Sequence, residues 1–435
     1  MLESRHTMSG SDLRKRLNAL RPQKKTPPPE QPPVRLATHP KTHHSVRSYD
    51  PDEGKTLPGI EARTSHGAFQ LIEERHALSQ THGECTFGEL LTRSPEIAAR
   101  LARQPALARA ALRDLAFIDT ETTGLAGGAG TLAFLIGVGV FENDAFVLRQ
   151  YFLRDPSEES AALAEIDNLL ASCAGWVTFN GRAFDVPLLE ARFTLNRRRA
   201  PFAGRPHLDL LNPARWLYRG RLESCALSSL EAHVLGIPRT TDDVPGALIP
   251  WMYVQFLRSG DPTEMKRVIY HNAMDILSMV TLAAHLLDVF DHSRSADRCS
   301  PEDWLKLAHW HESDDRPLEA EAAYRRALEG RLSLEDRAEA LEKLGFLLKR
   351  TGRRAEAVPL WEQWASFTVD EALPCVELSK YYEWKAQDMS VALRWAERAQ
   401  AIVLGQPATW QRADVIEAVT RRLDRLREKI QGAAA

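Results

Sequence analysis

Asp119, Glu121, Asp185 and Asp275, with His271 beside the last, are the residues whose types and spacing could do chemistry. Asp119 ends the apolar run Leu115-Ala116-Phe117-Ile118, which reads as a strand. In an extended chain residues i and i+2 point the same way, so Asp119 and Glu121 share a face. Two carboxylates at the end of a buried strand are costly unless something positive lies between them. A hard divalent cation with oxygen ligands is the natural partner. Asp185 follows the strand-like Trp176-Val177-Thr178-Phe179 and opens a helical stretch, a position that equally suits a helix cap. His271 and Asp275 are four apart in a helical segment and share its face; a surface His–Asp pair has the same spacing.

The elements that must hold these groups are readable from periodicity. Thr131 to Phe141 and Phe146 to Leu153 are β-type runs, with Asn143-Asp144 as a hairpin turn between them. A helix opens at Ser157-Glu158-Glu159 and runs to about Ala174, with its acids at the favourable end. Phe184 to Asn196 reads as helix and His207 to Leu211 as a short inner strand. Leu227 to Leu235 is helical and stops at Gly236, and Pro262 to Phe290 is one or two long helices. Three antiparallel strands followed by α/β alternation indicate a mixed sheet flanked by helices over residues 113–292.

On either side the character changes. Residues 1–55 read as a disordered, basic, Pro-rich tail, with ten Lys/Arg against four Asp/Glu in the first 50 positions. Residues 56–112 read as a small α/β prelude packed on the next domain. Residues 300–430 read as wholly helical, with a visible repeat. Leu307-Ala308, Leu344-Gly345 and Leu378-Ser379 recur, and Ala320, Ala357 and Val391 align downstream, each four before Tyr324, Trp361 or Trp395. The pattern resembles tetratricopeptide repeats.

Composition narrows the class. A formal net charge of −3 and a pI near 6.6 exclude a uniformly basic coat for nucleic acid, while leaving room for a local basic groove. Eight arginines against one acid between Arg192 and Arg221 are such a stretch, with Trp216 and Tyr218 available to stack bases. A solvated basic face with buried aromatics is the alternative. Five scattered cysteines without a CxxC pair argue against disulfides and cysteine zinc sites, and point to the cytoplasm. No apolar run reaches the ~20 residues needed to span a bilayer, and Leu132 to Phe141 fits a buried strand, so no membrane partner is expected. Gly124 to Gly130 lacks the lysine of a P-loop and leads into a strand.

Together, the DxE of Asp119 and Glu121, the NxxxFD of Asn180, Phe184 and Asp185, and the helical His–Asp pair resemble the motifs of the DEDD exonuclease superfamily. The finer resemblance is to the YprB-type ribonuclease-H-like family. It rests on the Gly-rich stretch 124–131, His207-Leu208-Asp209-Leu210-Leu211, Asp243-Val244-Pro245-Gly246 with Ile249-Pro250, and His271-Asn272 ahead of Asp275. One feature departs from the pattern. His271 lies four residues before the last Asp and Tyr270 five, the reverse of the usual placing, and helix geometry favours His271 as the base. The resemblance implies a ribonuclease-H-like fold followed by a tetratricopeptide-like domain. It implies two Mg²⁺ or Mn²⁺ ions held by Asp119, Glu121, Asp185 and Asp275, with His271 accepting a proton, and 3′→5′ hydrolysis of phosphodiester bonds. Thr122, Asn180, Arg182, Phe184 and Arg192 are expected at the nucleic-acid substrate, and the helical repeats at a protein partner. A silent nucleic-acid-binding scaffold with the same fold is the alternative.

Overall fold

The computed structural model describes residues 56–124, 130–240, 243–291, 299–406 and 410–434. The tail read at 1–55 and most of the Gly-rich stretch lie outside the described residues. The chain divides into two compact units, with the boundary between Arg298 and Cys299.

The first unit is built on one seven-stranded mixed sheet. In chain order its strands are β1 (Ile60–Thr64), β2 (Gly67–Ala77), β5 (Leu115–Thr122), β6 (Ala133–Glu142), β7 (Ala145–Phe152), β8 (Gly175–Thr178) and β9 (His207–Asp209), in spatial order β1-β2-β7-β6-β5-β8-β9. The first four pairings are antiparallel and the last two, β5–β8 and β8–β9, are parallel. A separate pair of two-residue strands, β3 (Thr81–His82) and β4 (Cys85–Thr86), completes the strands among the described residues. Residues 56–112 thus supply the outer two strands of the main sheet: β2 pairs with β7 from Gln70↔Phe152 to Ala77↔Ala145. The same segment carries one α-helix, α1 (Pro95–Ala102), between the 3₁₀ turns Phe87–Thr92 and Pro105–Arg109. The β6–β7 turn falls at Asn143, which takes a left-handed φ of 50° as a tight hairpin requires. His207–Asp209 is the outermost strand, where the sequence suggested an inner one.

The helices that follow are α2 (Glu159–Ala171), α3 (Asp185–Leu195), α4 (Leu211–Tyr218), α5 (Leu227–Leu230), α6 (Ile249–Ser259) and the long α7 (Thr263–Asp291). The long helical stretch expected over Pro262 to Phe290 is the single helix α7. By length and composition it is apolar enough to cross a bilayer, although His271, Asn272 and Asp275 break the apolar run in the sequence. Within the fold, 89% of its apolar window is buried, so α7 is the core helix of this unit. It packs on β5, β6 and β7. The pleat sorts the faces: Asp119 opposes Gly137 and Glu121 opposes Leu135, and these positions look toward α7. Phe134, of the other parity, stacks on Tyr253 of α6, with ring centroids 3.9 Å apart.

Among the described residues of the second unit every element is helical, and consecutive helices pack on one another. They are α8 (Pro301–Ser313), α9 (Pro317–Glu329), α10 (Leu334–Arg350), α11 (Arg354–Phe367), α12 (Leu373–Tyr381), α13 (Met389–Gly405) and α14 (Trp410–Ala434). Ala320, Tyr324, Ala357 and Trp361 are fully buried, and a side chain on Gly345 would meet the Trp361 ring. The third helical pair is one residue out of the expected register. Val391 and Trp395 are half-buried, and Ala392 and Ala396 fill the crossing.

Candidate active site

Strand β5 delivers Asp119 and Glu121 to the face covered by α7, and two glycines let the helix come close. A Cβ on Gly137 would stand 2.3 Å from Ile276 Cδ1 and 2.4 Å from Asn272 Oδ1. The closeness is used: Asn272 Nδ2 donates to Asp119 Oδ2 at 2.7 Å, and Gln150 Nε2 donates to Asn272 Oδ1 at 2.8 Å. Gln150 and Asn272 are both fully buried, and Gln150 also donates to the Ile269 carbonyl. A buried polar chain of this kind orients its last member, the Asp119 carboxylate.

Asp185 opens α3 and takes its position from Thr120, whose hydroxyl donates to Asp185 Oδ1 at 2.5 Å. Thr120 has the opposite parity to Asp119 and Glu121, so Asp185 reaches the cluster from the other side of the strand. Burial and the neighbouring Asp275 and Asp185 charges push the Asp119 carboxyl well above its usual range. Burial and the Asp119, Asp275 and Asp185 charges do the same to Glu121. Asp185 is pushed up to about 6, chiefly by burial. Asp119 and Glu121 thus both feel the Asp185 and Asp275 charges.

His271 is anchored on one side and open to the acids on the other. Its Nδ1 lies 2.6 Å from Asp243 Oδ1, and its Nε2 lies 3.8 Å from both Glu121 Oε1 and Asp275 Oδ2. A carboxylate only accepts, so a proton on Nδ1 serves the shorter Asp243 contact, although Arg239 Nη1 also stands 3.1 Å from Nδ1. Nε2 is the nitrogen that faces the acids. Burial alone would lower the imidazole; the Asp243 hydrogen bond and the Asp275 and Asp243 charges outweigh it and raise it. Burial would lift Asp243, but the His271 hydrogen bond and charge hold it down at about 2. Arg239 completes the cluster. It donates to Glu231 at 3.0 Å, to Asp243 at 3.1 Å, and to Asp275.

The five residues read as catalytic or metal-binding thus meet, and the supporting set, Asn272, Gln150, Arg239, Glu231 and Asp243, was not identified as part of the site. The only signal was the presence of Asn272 and Asp243 in the family-like strings. The expected substrate residues divide. Phe184, next to Asp185, is 54% exposed. Asn180 holds a left-handed φ of 68°, and its N–H donates to Asp209 Oδ1 at 2.8 Å. Asp209 also accepts from the Arg182 N–H at 3.0 Å, so the loop before Asp185 is tied to the sheet edge. The Arg182 guanidinium donates to the His207 carbonyl at 3.0 Å, and Thr122 donates to the Gly124 carbonyl at 2.7 Å.

Arg192, expected at substrate, is instead engaged by Glu159 at 2.5 and 2.6 Å, a brace between α2 and α3. Tyr218 is buried against His285, so it is no stacking platform. Trp216 packs on Phe290 and keeps 39% exposure. Arg205 caps the end of α2 through the Leu170, Ala171 and Cys173 carbonyls. With Arg198, Arg199 and Asp167 it lines an open pocket of about 480 Å³, beyond the end of α3 opposite Asp185. The five cysteines carry no disulfide.

The donor set suits a hard divalent cation: like-charged carboxylate oxygens, part-buried to buried, with Asp119 and Glu121 raised by burial and by their acidic neighbours. As the side chains stand, no three His, Cys, Asp or Glu among the described residues are gathered closely enough to hold a metal ion. Comparison with known proteins points the same way as the fold. Residues 116–287 match the RNase_H_2 model of the RNase_H superfamily. The chain is also 34% identical over 345 residues to a Bacillus subtilis (strain 168) protein named "Uncharacterized protein YprB", covering 76% of this chain and 80% of that one. A relative this similar over this length, with a matching domain model and sheet, places the chain in the RNase H superfamily, in one family with YprB.

Proposed function

We propose that the chain is a metal-dependent nuclease that hydrolyses phosphodiester bonds of nucleic acid, acting as a 3′→5′ exonuclease. The observation that carries this reading is the convergence of Asp119, Glu121, Asp185 and Asp275 on an anchored histidine within an RNase H superfamily domain, with Asp119 and Glu121 raised by burial and by their acidic neighbours. Asp119, Glu121, Asp185 and Asp275 would hold two Mg²⁺ or Mn²⁺ ions. When bound, such ions supply Lewis acidity and neutralise charge developing on the phosphoryl oxygens. His271 accepts the proton of the attacking water at Nε2 while Asp243 keeps the Nδ1 proton in place. Asn272 fixes the rotamer of Asp119. The exposed Phe184 ring offers a face on which a terminal base stacks. The 3′ polarity follows from the resemblance of the motifs alone. The helical unit is read as a tetratricopeptide-like platform for a protein partner, and the unbridged cysteines fit the cytoplasm.

A second reading, a nucleic-acid-binding scaffold without hydrolysis, is favoured by one observation: Asp275 is ion-paired to Arg239. The two readings separate in one assay. Single-stranded DNA and RNA labelled at the 5′ end are incubated with Mg²⁺, Mn²⁺ or EDTA, using wild type and Asp119→Ala. A metal-dependent ladder shortening from the 3′ end, absent in the variant, is expected. Intact substrate in every lane, with protein that still binds it, would establish the scaffold.

A further inference from the structure

Arg239 is a cation already resident beside the four acids, paired among them to Asp275. It sits just past Gly236, which ends the turn Glu231–Leu235 with a left-handed φ of 68°. Its side chain is 13% exposed, and the Glu231 side chain opposite is 0% exposed. A buried carboxylate without a partner is costly, so Glu231 fixes Arg239 in place whatever else the guanidinium does. The remaining donors reach Asp243, Asp275 and His271 Nδ1.

Asp275 is thereby set apart from the other acids. Asp119 and Asp185 are oriented by neutral donors, Asn272 and Thr120, which leave their charge uncompensated. Asp275 gives one oxygen to Arg239, and its other oxygen stands 3.8 Å from His271 Nε2. No three candidate ligands stand within caging reach among the described residues, and the acid drawn to a guanidinium is one of those the cage would need.

From this geometry we infer that Arg239 is a resident competitor for Asp275. A divalent ion completes its shell only by taking Asp275 from Arg239, which stays on Glu231 and Asp243. Arg239 thus sets the metal concentration at which the site fills. This inference rests on the metal-binding part of the reading above and not on hydrolysis.

The test is a Mn²⁺ titration of the full chain, read by the electron paramagnetic resonance signal of free Mn²⁺ and by calorimetry. Arg239→Gln alone would strand Glu231, so the informative variant pairs it with Glu231→Gln. That pair removes the buried ion pair together and keeps the net charge unchanged. The double variant is expected to bind Mn²⁺ at least about tenfold more tightly, or to take up one more ion, because the guanidinium no longer holds a ligand oxygen. In an Asp275→Asn background the same pair of changes should give no gain, since nothing is left to compete for. Equal or weaker binding by the double variant, a gain that persists in full without Asp275, or no uptake by any variant would each overturn the inference. A wild type that takes up Mn²⁺ but leaves every labelled strand intact removes the nuclease reading alone, and the competition is still decided by these titrations.

Discussion

Asp185 carries its charge against its surroundings. Its carboxyl ordinarily titrates near 3.8 and is pushed up to about 6 in the fold, chiefly by burial. The folded chain thus holds a proton there that the unfolded chain has released. The associated stability is complete below about 3.8 and is lost as pH rises through about 6. Asp185→Asn keeps an oxygen for Thr120 and removes the buried charge. It should raise the metal-free melting temperature at pH 7.5 by roughly 2–6 °C. It should also flatten the pH dependence between 4 and 6; an unchanged or lower melting curve counts against the burial argument. Asp243→Asn tests the other side of the site. His271 is raised in part by Asp243, and the base must be neutral to accept a proton. The acid limb of the pH–rate profile should therefore move to lower pH by up to about one unit in that variant. At this scale the acids and His271 were legible because each ends or faces a periodic element. Arg239 was not: it lies in a connection, 36 positions from Asp275, and no local pattern marks that pairing.

The distance between β6 and α7 decides whether Asp119 is held. Gly137 and Gly139 give the helix its close approach, and a side chain at 137 would collide with both Ile276 and Asn272. Gly137→Ala should cost about 1–3 kcal/mol in urea unfolding. It should also lower activity further than stability explains, because Asn272 must leave Asp119 or Gln150. Gly246→Ala is the control, since a Cβ there meets nothing within 4 Å. Equal behaviour of the two variants would show that the close approach is dispensable. The three central antiparallel strands and the α/β alternation were legible from periods of 2 and 3.6. The outer strands were harder. The β2–β7 ladder joins Gln70 to Phe152, and such a long-range pairing leaves no trace in local periodicity. The helical character of α7 was legible over Pro262 to Phe290, but not its apolar content, because His271, Asn272 and Asp275 interrupt the apolar run that a linear reading counts.

Each of the two units carries its own core and its own buried carboxylate, and the opposite shifts of those carboxylates predict opposite responses to acid. In the helical unit Glu383 is fully buried and accepts from Arg422 at 2.6 Å, from Arg425 at 2.9 and 3.0 Å, and from Lys429 at 2.8 Å. Burial would raise this carboxyl, but the Arg425 and Lys429 hydrogen bonds and the Arg422 charge carry it down to about 2. Its contribution is therefore present above the ordinary 4.5 and lost as pH falls toward 2. Glu383→Gln leaves three cations without their shared carboxylate and should cost this unit about 3 kcal/mol. In the first unit Asp185 acts in the reverse sense, gaining stability as pH drops from about 6 to 4. Calorimetry of the full chain should resolve two transitions, because each set of buried groups is enclosed by its own unit. Glu383→Gln should lower one transition, and Asp185→Asn should raise the other at neutral pH. Their effects should add in the double variant within about 0.5 kcal/mol. A single transition that moves with both substitutions would instead mean that the carboxylate site and the helical array unfold as one body, so that a ligand of either would stabilise the other.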